Sequence, residues 1–123
     1  MTTQELYENI GGSYESAKRI LQMDRMISRF VQKFLNDTSC QKLLDGRAAN
    51  DPVTMFEGAH ALKGVCANLG FDSLSKMASD LAEEYRPGHT PAMSQEELDR
   101  RFDELKAQYD RTIAGIQAFA AEQ

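Results

Sequence analysis

An all-α fold, an up-and-down four-helix bundle with a short extra N-terminal helix, is what this sequence predicts, on three observations. Apolar residues recur at spacings near 3.6 along most of the chain. No segment alternates with a period of two, and the β-branched residues are scattered, so no strand has a sided face to bury. Short polar or Gly/Pro stretches separate the periodic runs, and short connections favour antiparallel neighbours. With 123 residues and no internal repeat, the chain reads as one domain over 1–123, its bundle core spanning about 13–119.

The first helix is expected from Thr3 or Gln4 to Ile10, capped by Thr3 and stopped at Gly11-Gly12. Ser13 can cap the second. Tyr14, Ala17, Ile20, Leu21, Ile27, Phe30, Phe34 and Leu35 give it one buried face, and Asn36-Asp37-Thr38-Ser39 ends it. Leu43 and Leu44 sit in a short helix that closes near Gly46 or Ala49. Asp51-Pro52 is a strong start signal. The carboxylate can accept from orphan N–H groups, and proline fits the first helical position, where no donor is needed. That helix runs to Leu69 and stops at Gly70. Asp72 or Ser73 is expected to cap the next, with Leu74, Met77, Ala78, Leu81 and Tyr85 facing inward. Arg86 to Pro91 is the clearest loop. Ser94 with Glu97 reads as a capping box, and Leu98, Phe102, Leu105, Tyr109, Ile113 and Ile116 form the last apolar stripe.

Charge and cysteine usage narrow the function. A formal net charge of -5 leaves no basic stripe to displace phosphate counterions, which argues against nucleic acid and against an anionic membrane surface. No apolar run is long enough to span a bilayer, and the polar, acidic start has no leader-like stretch, so the expected compartment is the cytoplasm. Cys40 and Cys66 form no CxxC and read as reduced, partly buried thiols.

The helix over 52–69 carries the chemistry. At about 100° per residue, Met55, Leu62, Val65, Cys66 and Leu69 fall on one side, which must face the core. His60 falls opposite, with Lys63 and Gly64 beside it and Phe56 and Ala67 flanking at one and two turns. An imidazole displayed from a rigid helix keeps a lone pair free for nucleophilic attack near neutral pH. Lys63 places a cation within reach of anything attached to the ring, and could offset a phosphoryl charge through charge-assisted hydrogen bonds. Glycine inside a helix costs roughly 0.5–1 kcal/mol relative to alanine, so Gly64 asks for a reason. Clearance for an approaching molecule supplies one. Taken singly, an exposed histidine is ordinarily just solvated. The grouping on one face, opposite an apolar stripe, points to function.

His60-Ala61-Leu62-Lys63-Gly64, followed by Ala67-Asn68-Leu69-Gly70, resembles the signature of histidine-containing phosphotransfer (HPt) domains. The Gly11-Gly12-Ser13-Tyr14 start, the run FVQKFLND over 30–37 and Asp51 at the head of the histidine helix are similar too. The resemblance covers nearly the whole chain and is weakest after Tyr85. It implies a four-helix bundle in a two-component phosphorelay. His60 would be the phosphoacceptor through Nε2, Lys63 would stabilise the phosphoryl charge, and Gly64 would give clearance. The implied partners are response-regulator receiver domains, a sensor histidine kinase, or both. The implied transfer needs no cofactor on this chain, because Mg²⁺ would sit on the receiver; no autonomous turnover is expected, and a monomer is the default. Family members often orient the ring from the following helix, where the neighbourhood offers Ser79, Ala82 and Glu83; Ser79 and Glu83 are the side-chain candidates, with a backbone group or water as the alternative. A docking surface around the ring would draw on Val53, Phe56, Ala67 and Phe71, with Leu6 and Ile10 from the first helix.

Three rival readings stand beside this one. Glu57-Gly58-Ala59-His60 matches the E-x-x-H of carboxylate-bridged di-iron bundles, but the motif occurs once and His60 points away from the core, so no metal is expected. A degenerate module of the same fold could bind receivers or kinases without carrying phosphate, although it would have no need to keep His60, Lys63 and Gly64 together. A plain helical scaffold is the third. The initiating Met and the full-domain span favour a free-standing protein over a piece of a larger kinase.

Overall fold

The computed structural model describes all residues 1–123, and the fold is all-helical with no strand. Seven α-helices follow in order: α1 Thr3–Ile10, α2 Tyr14–Leu21, α3 Asp24–Lys33, α4 Ser39–Ala48, α5 Pro52–Asn68, α6 Asp72–Tyr85 and α7 Gln95–Ala121. A 3-10 turn at Phe34–Asn36 extends α3.

The expected long second helix is broken in two. Gln22 adopts φ 69 and Met23 is extended, which ends α2 and restarts the helix as α3. A left-handed glutamine is strained, and its neighbours hold it there. Asp24, first residue of α3, accepts hydrogen bonds from the Tyr14 hydroxyl and from Lys18 Nζ, both on α2. The break leaves Ile20 and Met23 about half exposed on the surface.

α5 and α6 form a tight antiparallel pair. Gly70, at φ +73, makes the turn between them, and an added Cβ would meet the Ser13 carbonyl oxygen and Ala17 N at 2.5 and 2.9 Å. No side chain caps α6, contrary to the expectation for Asp72 or Ser73; Phe71 holds the cap position and turns into the core. On its other side α5 packs against α4 through glycines. A Cβ on Gly58 would lie 2.5 Å from the Leu43 amide nitrogen and 2.8 Å from its Cα. Glycine is therefore required at this crossing.

α1 runs alongside the last turns of α7, where Gly115 makes room for Ile10. Gln108 Nε2 and Arg111 Nε donate to the Ile10 and Asn9 carbonyls at the end of α1, while the Met1 amine meets Glu122. The Tyr7 hydroxyl donates to the Leu69 carbonyl at 2.6 Å, tying α1 to the end of α5. Thr2, not Thr3, caps α1, in a complete capping box with Glu5. The box expected at α7 is half made. Ser94 Oγ accepts from Glu97 N, but the Glu97 carboxylate turns to Arg101.

The loop between α6 and α7 hangs on a buried carboxylate. Glu84 accepts from the Ala92 and Met93 amides, both at 2.9 Å, and His89 Nε2 lies 3.9 Å away. Glu84→Ala removes the acceptor of two backbone donors in a part-buried loop. A loss of about 2 kcal/mol is expected in denaturant melts, with faster hydrogen exchange at the Ala92 and Met93 amides.

Candidate functional site

Asp51 starts α5 as its sequence suggests: its carboxylate accepts from Thr54 N at 3.3 Å and from the Thr54 hydroxyl at 2.7 Å, with Pro52 in the first turn. These bonds hold the Asp51 carboxyl below the usual carboxylate range. From that start the helix phase follows. Met55, Gly58, Ala59, Leu62 and Cys66 are buried, and Leu69 is buried just beyond. Val65 is only half-buried, at the edge of the apolar face and not within it. His60 is exposed on the opposite side.

Lys63 is half-buried one turn on, and joins none of the ion pairs. Its carbonyl accepts from Ser75 Oγ at 3.0 Å, which fixes this turn of α5 to α6. A Cβ built on Gly64 would meet nothing within 4 Å. Packing inside the chain therefore gives no reason for glycine at this position, in contrast to Gly58 six residues earlier. The open side is the one next to the imidazole.

Neither candidate for orienting the ring reaches it. Ser79 is half-buried and lines an open polar groove with Ser16, Arg19, Lys63 and Ala67. Glu83 is exposed and accepts both Arg86 Nε and Nη2 at 3.0 Å. That guanidinium is the main cause of a Glu83 carboxyl held below its usual range, with His89 and Lys63 adding smaller pulls. The neighbour the imidazole does have is Phe56. The two rings stack with centroids 5.5 Å apart and planes 21° apart. Arg86 Cζ lies 5.5 Å from the centroid of the Phe56 ring. Sequence reasoning missed Arg86 because it opens what reads as a loop; its signal was the Glu83–Arg86 spacing of three.

The residues expected on a docking surface differ in accessibility. Val53 is 61% exposed, Phe56 is half-buried and Ala67 is exposed, all on the His60 side of α5. Leu6 and Ile10 are fully buried where α1 meets α7, so they cannot join it. Phe71 is buried too, its ring packed on Tyr7 and Phe34, because the left-handed turn at Gly70 swings it inward. Near α5, an apolar groove is instead lined by Ile20, Leu21, Phe30, Val65 and Leu69. Its exposed rim at Ile20 depends on the break after α2, which the sequence did not reveal.

Other reactive groups are accounted for structurally. Burial pushes the Cys40 thiol up to about 12, and the Cys66 thiol is raised further for the same reason; both are free. Glu57 pairs with Lys42 at 3.1 Å, so the E-x-x-H residues do not converge inside the bundle as a di-iron site requires. No helix is long and apolar enough to cross a membrane.

Curated proteins and solved structures gave no match to the chain. The family model described as the Hpt domain matches residues 15–115, a span that runs from the first turn of α2 to Gly115 of α7 and includes His60, Lys63 and Gly64. Histidine phosphotransfer in phosphorelays, with receiver domains and kinases as partners, is the general role of that family. On this match, and on a helical fold that displays a histidine from its surface, the chain belongs to the Hpt domain family.

Proposed function

We propose that His60 is the phosphoacceptor, taking a phosphoryl group from a receiver aspartate or a kinase and passing it to another receiver. One observation carries this reading: the His60 imidazole is exposed beside an unpaired Lys63 and an unfilled space at Gly64, on the face opposite the buried side of α5. The Nε2 lone pair attacks the phosphorus of an aspartyl phosphate. The N–P bond forms as the P–O bond to the carboxylate breaks, the carboxylate leaves with the electron pair, and the proton on Nδ1 can pass to water. Transfer onward reverses these steps. Lys63 offsets charge on the transferring group. The bundle holds the ring in place on a rigid helix, so the partner meets a positioned nucleophile. The receiver supplies Mg²⁺, and this chain needs no cofactor and turns over nothing alone. It acts as a cytoplasmic monomer.

The test is incubation with phosphorylated receiver domains, then localisation of the adduct by mass spectrometry. An acid-labile, base-stable adduct on His60 is expected. Complex formation with no adduct would identify a binding module that carries no phosphate. Lys63→Ala should slow transfer about tenfold, or shorten the life of the adduct, with the melting curve unchanged. Unaltered rates would leave Lys63 as a solvated charge.

A further inference from the structure

We propose that Phe56 is a positioning residue for His60, its ring setting the plane of the imidazole while Arg86 steadies Phe56. The inference rests on the reading of His60 as phosphoacceptor, and gives that ring the orienting partner it otherwise lacks. None of the chain's hydrogen bonds involves the imidazole; those of α6 in this region go from Ser75 to the Lys63 carbonyl and from Arg86 to Glu83. An exposed histidine on a helix ordinarily samples more than one rotamer. Phe56 sits four residues earlier, where side chains lie one above the other on the same face. The centroid separation of 5.5 Å and the 21° tilt fit an offset stack, an arrangement aromatic pairs favour over random contact.

Arg86 completes the stack. Equal steps along the antiparallel helices, counted from the Ser75–Lys63 contact, bring the end of α6 level with the first turn of α5, one turn before Phe56. Its guanidinium lies over the Phe56 ring, a cation–π geometry. Two hydrogen bonds donated to the Glu83 carboxylate fix the guanidinium plane. The order Glu83, Arg86, Phe56, His60 is therefore a continuous run of contacts from α6 to the reacting ring. Phe56 is half-buried, so its ring has a fixed side for the imidazole to rest on. Glu83 thereby influences the ring through Arg86 and Phe56, and not by direct contact.

Phosphoramidate is the probe, because so small a donor needs no docking surface. Phe56→Leu keeps an apolar side chain but removes the flat face. It should label about fivefold more slowly than wild type, as the share of rings in the productive orientation falls. Phe56→Tyr should restore the rate. In NMR spectra the His60 ring protons should be shifted upfield by the Phe56 ring current, and lose that shift in Phe56→Leu but not in Phe56→Tyr. Wild-type labelling at His60 with equal rates in Phe56→Leu would overturn the positioning role and leave the phosphoacceptor reading intact. No labelling of His60 in wild type would remove that reading instead; the ring-current shift would then support or refute the stack by itself.

Discussion

His60→Gln should take no phosphoryl label from any donor, while its melting point stays close to that of wild type. Glutamine keeps polarity and helix propensity but has no ring nitrogen with a free lone pair. The imidazole is exposed and its partner is the stacked Phe56, so the cost in stability should stay within about 0.5 kcal/mol. Far-ultraviolet circular dichroism and a thermal melt establish the fold; phosphoramidate or a phosphorylated receiver tests the label. The remaining histidine, His89, sits in the loop that Glu84 holds, away from Lys63 and Gly64 along the chain. Label retained in the variant would move the acceptor elsewhere and end the assignment.

The second large effect comes from two glycines in one helix that should respond in opposite ways. Gly58→Ala drives a methyl group into the Leu43 backbone, and backbone cannot rotate aside as a side-chain end can. Even after the gain in helix propensity, a loss of about 2–3 kcal/mol is expected, a fall in Tm on the order of 10 °C. Gly64→Ala enters empty space and should stabilise by roughly 0.5–1 kcal/mol. Its larger relative, Gly64→Gln, should keep phosphoramidate labelling but lose at least about tenfold in transfer from a receiver, whose approach it obstructs. Should Gly64→Gln exchange phosphate with receivers at the wild-type rate, the clearance role would be lost.

Much of the site was legible from the sequence because it follows from one helix. The Asp51-Pro52 start sets the phase of α5, and the apolar side then dictates where His60, Lys63 and Gly64 must point. What stayed hidden depends on contacts between elements distant in sequence. Leu6 and Ile10 look like free apolar residues until α7 covers them. Phe71 looks surface-facing until the turn at Gly70 reverses the chain. The break at Gln22 has no glycine or proline to announce it; it rests on a left-handed glutamine and on Asp24 gathering Tyr14 and Lys18. The orienting contact was sought as a hydrogen bond from α6, whereas the structure offers an aromatic face from α5 itself.

The pairing of α1 with the end of α7 has a bearing on how the chain is made. Leu6, Tyr7 and Ile10 leave the ribosome well before the α7 surface that shelters Leu6 and Ile10, because that surface lies far along the chain from them. α4, α5 and α6 can collapse on one another as soon as they emerge, since they are neighbours in the chain. The amphipathic α1 must wait for α7, so a nascent chain arrested before α7 would present a greasy segment to chaperones and proteases.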